Sequence, residues 1–252
     1  MCIRDSIPRV QWTGAYWATL VGILGTTISP YLFFWQAAQE VEEEIAAGRS
    51  TVAQREGASK REIRRSRNDV LTGMFFSNLV MYFIILTSAA TLHAHGKTTI
   101  STARDAAEAL RPLAGDGAYW LFSLGLIGAG MLGVPVLAGS CAYAIAEASD
   151  WVGSLEVHPP LAHGFYAVIA IAMALGLGLD YAGLNAVKML FWSAVLNGAL
   201  APPLLILVVL LTSRSDVMGE HRNGVLLRWL GWTCVIVMLI ATVIMFVTAY
   251  VG

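Results

Sequence analysis

Apolar residues fall in long continuous runs along this chain, and the charged ones gather between them. Six stretches meet or approach the length of about 20 residues that a bilayer core demands of a helix. They run from Trp12 to Gln39, Val70 to Leu92, Ala118 to Ala146, Leu161 to Leu179, Leu184 to Leu211 and Val225 to Val251. The runs are unbroken rather than alternating, which favours helices over a β-barrel. The pattern predicts an all-α membrane protein of six transmembrane helices, a single transmembrane domain over residues 1–252. Asn68-Asp69 reads as a cap for the second span, Ser101 to Leu110 as a short external helix ended by Pro112, and the Gly125–Gly139 region as close helix packing.

Composition sharpens this picture. Of 252 residues 57% are hydrophobic and 13% charged, and the mean hydropathy is +0.65; soluble domains carry about 25% charged residues. The net charge is −1, so nothing points to a nucleic-acid partner, and the bilayer is the expected environment. Arg49, Arg55, Lys60, Arg61, Arg64, Arg65 and Arg67 all lie in the first loop. The third loop has no Lys or Arg, and the fifth has Arg214, Arg222 and Arg228. The positive-inside rule therefore places the first loop in the cytoplasm and both chain ends outside. The opening "MCIRDSIPRV" has no apolar signal region, so an outward N-terminus leads us to expect a fragment, with an odd number of helices upstream.

Candidate chemistry is sparse. Cys2, Cys141 and Cys234 form no disulfide framework or CxxC pair, and Cys141 and Cys234 read as small packing residues inside spans. His93 and His95 offer the only metal-like histidine spacing, at a helix end that reads as hydrated. No nucleophile, phosphate-loop or zinc-protease motif is present, so no enzyme and no bound cofactor are expected. One segment stands out, "ILGTTISPYLFFWQAAQEVEEE", where Pro30 interrupts a membrane run between hydroxyl residues. Proline removes an N–H and clashes with the carbonyl four residues back. The freed carbonyls near Thr26 to Pro30 need a partner in hydrocarbon. Either the hydroxyls of Thr26, Thr27 or Ser29 repair the backbone, or a cavity with a cation or water does so, as at the broken helices of transporters.

"GTTISP" followed by an aromatic half-helix resembles the sixth transmembrane helix of the NRAMP family of divalent metal transporters, where a glycine, an alanine and two residues precede Met-Pro-His. "FSNLVMYFIILTSAATLHAHG" resembles the seventh helix, "ALRPLAGDGAYWLFSLGLIGAGMLGVPVLAGSCAYAIAE" the following loop and eighth helix, and "FWSAVLNGALAPPLL" the tenth. The resemblance implies a leucine-transporter-type fold, of which this chain would hold the second inverted repeat and one further helix. The missing N-terminal helices would carry the family's Asp-Pro-Gly-Asn metal motif; no Asp-Pro-Gly occurs here. It implies a bacterial inner-membrane transporter whose substrate is a divalent metal ion of the Mn²⁺/Mg²⁺ class, moved by alternating access.

Carried over by position, the resemblance makes Thr26 and Ser29 the metal residues. Thr26 stands where the family offers an alanine carbonyl, and Ser29 where it has a methionine thioether. Tyr31 and Gln36 replace histidines, Asn78 matches the seventh-helix asparagine, and Ala194 replaces a glutamine with Asn197 close by; these asparagines, Tyr31 and Gln36 are pathway candidates. Exchanging sulfur for oxygen hardens the site, which resembles the magnesium-transporting NRAMP-related branch more than the proton-coupled one. Two other readings stay open on sequence alone: an amino-acid or sodium symporter of the same fold, and a membrane interaction module that transports nothing.

Overall fold

A computed structural model describes residues 10–91, 100, 102–115 and 117–251. Ten α-helices occur among them: α1 Gly14–Ile28, α2 Tyr31–Ala46, α3 Val52–Arg55, α4 Lys60–Thr91, α5 Ala103–Ala114, α6 Gly117–Ala148, α7 His163–Tyr181, α8 Ala186–Ser213, α9 Ser215–Met218 and α10 Val225–Val251. No strand occurs among the described residues. With α1 and α2 taken as one broken run, six helical segments are long and apolar enough to span a bilayer. The chain is an all-α integral membrane protein, as the hydropathy pattern predicts.

The chain divides into two compact units. The first comprises the residues up to Pro30 and those from Met189 onward. In it α1 packs along α10, with Ala18 and Val21 of α1 meeting Val195 of α8 and Ala241 and Met245 of α10. Lipid gives such helices no hydrophobic drive to associate, so close van der Waals packing must hold them. Small residues permit it. A Cβ on Gly25 would strike the Ala194 carbonyl and the Gly198 backbone, and one on Gly198 would strike the Val21 carbonyl. The backbones of α1 and α8 therefore touch at Gly25 and Gly198.

The second unit comprises residues 31–188. Its core brings Trp35 and Ala38 of α2 against Ala142, Tyr143 and Ala146 of α6 and Phe165 of α7. Gly139 leaves room for the Trp35 ring, which meets the Tyr143 ring edge-on at 5.6 Å. Tyr143 in turn stands 4.9 Å from Phe165.

Several local expectations change. The second span does not begin at Asn68-Asp69: α4 is already helical at Lys60. Ser59 and Glu62 form the cap instead. The Glu62 carboxylate accepts from the Ser59 N–H at 2.7 Å, and the Ser59 hydroxyl accepts from the Glu62 N–H at 3.2 Å. With no Gly or Pro between them, the polar residues 60–69 simply extend the membrane helix. The external helix likewise runs past Pro112 to Ala114, from a Thr102–Asp105 capping box to Gly115 at φ 60°. Gly125, Gly128, Gly130 and Gly133 meet nothing within 4 Å, and of the five glycines from Gly125 to Gly139 only Gly139 is packed. Cys141 and Cys234 are exposed on their helices rather than packed inside. His93 and His95 lie outside the described residues.

Candidate functional site: the break at Ser29-Pro30

The helix that begins at the Thr13 cap ends at Ile28, and the next begins at Tyr31. Ser29 closes α1 in the left-handed region, at φ 42° and ψ 73°, which is uncommon for a residue with a side chain. A proline disfavours right-handed helical geometry in the residue before it, so α1 stops at Ile28, and Ser29 turns into the left-handed region. Its N–H still reaches the Gly25 carbonyl at 3.0 Å.

One hydroxyl serves a carbonyl that the break disturbs, and two add to a carbonyl inside α1. Thr26 and Thr27 both donate to the Ile23 carbonyl, at 2.8 and 2.9 Å. The Thr26 carbonyl, which would have accepted from residue 30 in an unbroken helix, accepts the Ser29 hydroxyl at 2.6 Å. Ser29 is buried, 5% exposed, whereas Thr26 is exposed. Each donated proton leaves lone pairs on its oxygen, so Ser29 Oγ and the Thr26 carbonyl form a close pair of neutral oxygens. No His, Cys, Asp or Glu cluster of three is present among the described residues, and none of those residue types, nor Lys or Arg, occurs from Thr13 to Gln39. Neutral oxygens suit hard cations such as Mg²⁺ and Ca²⁺ better than soft ones.

The structure brings Thr26 and Ser29 together and treats the other candidates differently. Asn197 is half-buried and adjoins Gly198, the residue of α8 that touches α1. Tyr31 and Gln36 are five residues apart on α2, a spacing that does not share a helix face; Tyr31 is half-buried and Gln36 exposed. The Asn78 amide donates to the Met74 carbonyl of its own helix at 2.8 Å.

A polar hub at the far end of α2 has no counterpart in the sequence reading. The buried Tyr143 hydroxyl donates to Glu42 at 2.8 Å and accepts from Gln39 at 3.3 Å and from the Leu155 N–H at 3.2 Å. It ties α2 to α6 and to the loop before α7. Gln39 and Glu42, three apart on one face of α2, are a visible signal; their partner 101 residues beyond Glu42 is not.

The family model for natural resistance-associated macrophage protein-like (Nramp) proteins matches residues 3–248. The chain belongs to the Nramp family. A divalent metal cation transporter MntH of Deinococcus radiodurans is 25% identical over 234 residues, 92% of this chain and 49% of its own length. A protein of the same name from Klebsiella pneumoniae subsp. pneumoniae is 26% identical over 214 residues, 85% of this chain and 47% of its own. Another, from Aeromonas hydrophila subsp. hydrophila, is 26% identical over 202 residues. The Nramp chain spans about half the length of the curated relatives it matches.

Proposed function

We propose that this Nramp chain supplies the second inverted repeat of a divalent-cation transporter of the bacterial inner membrane. In this reading the residues form one membrane domain with helices supplied upstream, and the substrate passes by alternating access through the break at Ser29-Pro30. The observation that carries the reading is the close oxygen pair of Ser29 and Thr26 at a helix break in a family whose named relatives are divalent metal cation transporters. Half-helix ends and unwound carbonyls are how broken membrane helices bind ions. Thr26 and Ser29 would contact the ion, and Tyr31, Gln36, Asn78 and Asn197 would line the path. An all-oxygen contribution without sulfur favours Mg²⁺ or Mn²⁺ over Cd²⁺. The absence of His, Asp, Glu, Lys and Arg from Thr13 to Gln39 favours transport without obligatory proton cotransport.

Uptake into proteoliposomes of the full-length protein tests both parts. Ser29→Met restores a thioether, so the Cd²⁺/Mg²⁺ uptake ratio should rise about tenfold. An unchanged ratio in a folded variant removes Ser29 from the ion's contacts, and no uptake of Mg²⁺, Mn²⁺ or Cd²⁺ above empty liposomes removes the transport reading. An internal pH dye should stay silent during Mg²⁺ uptake; acidification that follows metal entry would establish proton coupling.

A further inference from the structure

The ten residues of α4 that precede its apolar run are as helical as the run itself, because Ser59 and Glu62 cap the helix at its start. They therefore hold their side chains at fixed angles around an axis that continues into the membrane. Lys60, Arg64 and Arg67 recur at spacings of four and three, and Leu71, Met74, Phe75 and Asn78 continue the same stripe. Glu62 and Asp69 fall on the opposite side of the helix by the same periodicity. Lys60, Arg64 and Arg67 thus stand apart from Glu62 and Asp69 just where the helix enters hydrocarbon, while Arg65, three residues after Glu62 and four before Asp69, shares the carboxylates' side.

The three cations are exposed, and no described carboxylate pairs with them. Two of the first loop's carboxylates are committed elsewhere: Arg49 holds Glu44 at 3.4 Å and Glu62 at 2.7 Å. Arg61 and Arg65, off the stripe, and Arg64 on it border a cleft of about 1060 Å³ that Glu40 and Glu43 of α2 and Glu62 and Asp69 of α4 also line, with no ion pair across it to α2 among the described residues. Below the cations, Leu71, Met74 and Phe75 are 61%, 46% and 63% exposed. A surface of this kind, positive at headgroup level and apolar beneath, has the polarity of an anionic lipid reversed in charge.

We propose that the Lys60–Arg64–Arg67 stripe is a docking site for the headgroup of an anionic phospholipid, whose acyl chains lie along Leu71, Met74 and Phe75. The lipid belongs to the leaflet that meets the first loop, cytoplasmic by the positive-inside rule. Basic clusters beside a membrane helix attract anionic lipid by about fivefold per cation, and the attraction is screened by salt. A free phosphate ion shares the headgroup's charge but not its chains, so the apolar half of the stripe selects lipid. The site does not depend on the transport reading.

Titrating the detergent-solubilised full-length protein with phosphatidylglycerol and with phosphatidylcholine, read by native mass spectrometry, decides the matter. Phosphatidylglycerol should bind better, and K60Q/R64Q/R67Q should lower its affinity about 100-fold. R61Q/R65Q, which changes only the flank, should lower it no more than about fivefold. K60R/R64K/R67K, which keeps every charge, should bind like the parent and controls for folding. Equal binding of the two lipids, an unaffected triple Gln variant, a flank variant as damaged as the stripe variant, or displacement by millimolar inorganic phosphate would each overturn the proposal.

Discussion

At Pro30 the chain leaves the helix for two residues, whereas α6 runs unbroken through Pro135 and α8 through Pro202 and Pro203. All four prolines lie in membrane runs and all four lack an N–H, so proline alone does not explain the difference. The residues before them do. Ser29 supplies a hydroxyl donor to the Thr26 carbonyl, which Pro30 leaves without an N–H, while Thr26 and Thr27 add second bonds to the Ile23 carbonyl inside α1. Leu132, Gly133 and Val134 supply none ahead of Pro135. Without replacement donors, staying helical loses only the bond that proline itself forfeits, and opening the backbone would expose several more groups to lipid. With the Ser29 hydroxyl in place, the backbone can leave the helix and keep the Thr26 carbonyl satisfied. A second difference is support: α1 is pinned one turn before the break by backbone contact at Gly25, while the glycines ahead of Pro135 face open space.

The largest test of that contrast is steric. Gly25→Ala places a Cβ against the Ala194 carbonyl and the Gly198 backbone, neither of which can rotate away. We expect a loss of about 3 kcal/mol, near the upper end of overpacking costs. Gly128→Ala in α6 meets nothing within 4 Å and should instead stabilise by about 0.5 kcal/mol through helix propensity. Reversible unfolding of the purified full-length protein in detergent, followed by far-UV circular dichroism, measures both. Equal effects at the two glycines would show that α1 and α8 are not in backbone contact.

Much of this architecture is legible in the sequence, for a physical reason. Lipid forces every spanning segment to be a long apolar helix, so the spans follow from hydropathy, and the break from Pro30 together with the hydroxyl residue before it. The starts and stops are less legible, because in the polar segments capping chemistry decides them. Asn68-Asp69 looked like a cap, but Ser59 with Glu62 captured the helix nine residues earlier. The glycines of α6 looked like a packing face, yet only contacts across the fold tell a packed glycine such as Gly139 from an open one such as Gly128. At the break, the pairing of Ser29 with Thr26 is legible because the two are neighbours in sequence. The Tyr143 hub was not, since its acceptor and donors come from α2 and from a loop with no local signal.

Reversing the prolines gives effects of intermediate size and opposite sign. Pro135 is exposed and sits in a continuous helix, so Pro135→Ala returns an N–H to the ladder with little packing lost. A gain of about 2 kcal/mol is expected, below the roughly 3 kcal/mol that separates proline from alanine in a helix interior. Pro30 occupies a turn between helices, where its fixed φ restricts the unfolded chain. Pro30→Ala should cost about 1 kcal/mol there. The same unfolding assay reads both variants, and a stabilising Pro30→Ala would mean that the break is a strained helix rather than a built turn.

The smallest difference separates two serines with bonds of nearly equal length. Ser29 donates to the Thr26 carbonyl at 2.6 Å and Ser140 to the Val136 carbonyl at 2.7 Å, and both side chains are buried. Length therefore predicts equal costs for Ser29→Ala and Ser140→Ala. The acceptors predict otherwise. Val136 lies four residues before Ser140 inside α6, so its carbonyl also has the helix N–H of residue 140 and stays satisfied without the hydroxyl. Thr26 lies four residues before Pro30, which has no N–H to give. Removing the Ser29 hydroxyl orphans that carbonyl, at a cost of about 1 kcal/mol, whereas Ser140→Ala should cost about 0.3 kcal/mol, half the average for side-chain bonds between membrane helices. Measured side by side in detergent, equal losses would show that the Thr26 carbonyl has another donor, and the hydroxyls could no longer be what permits the break.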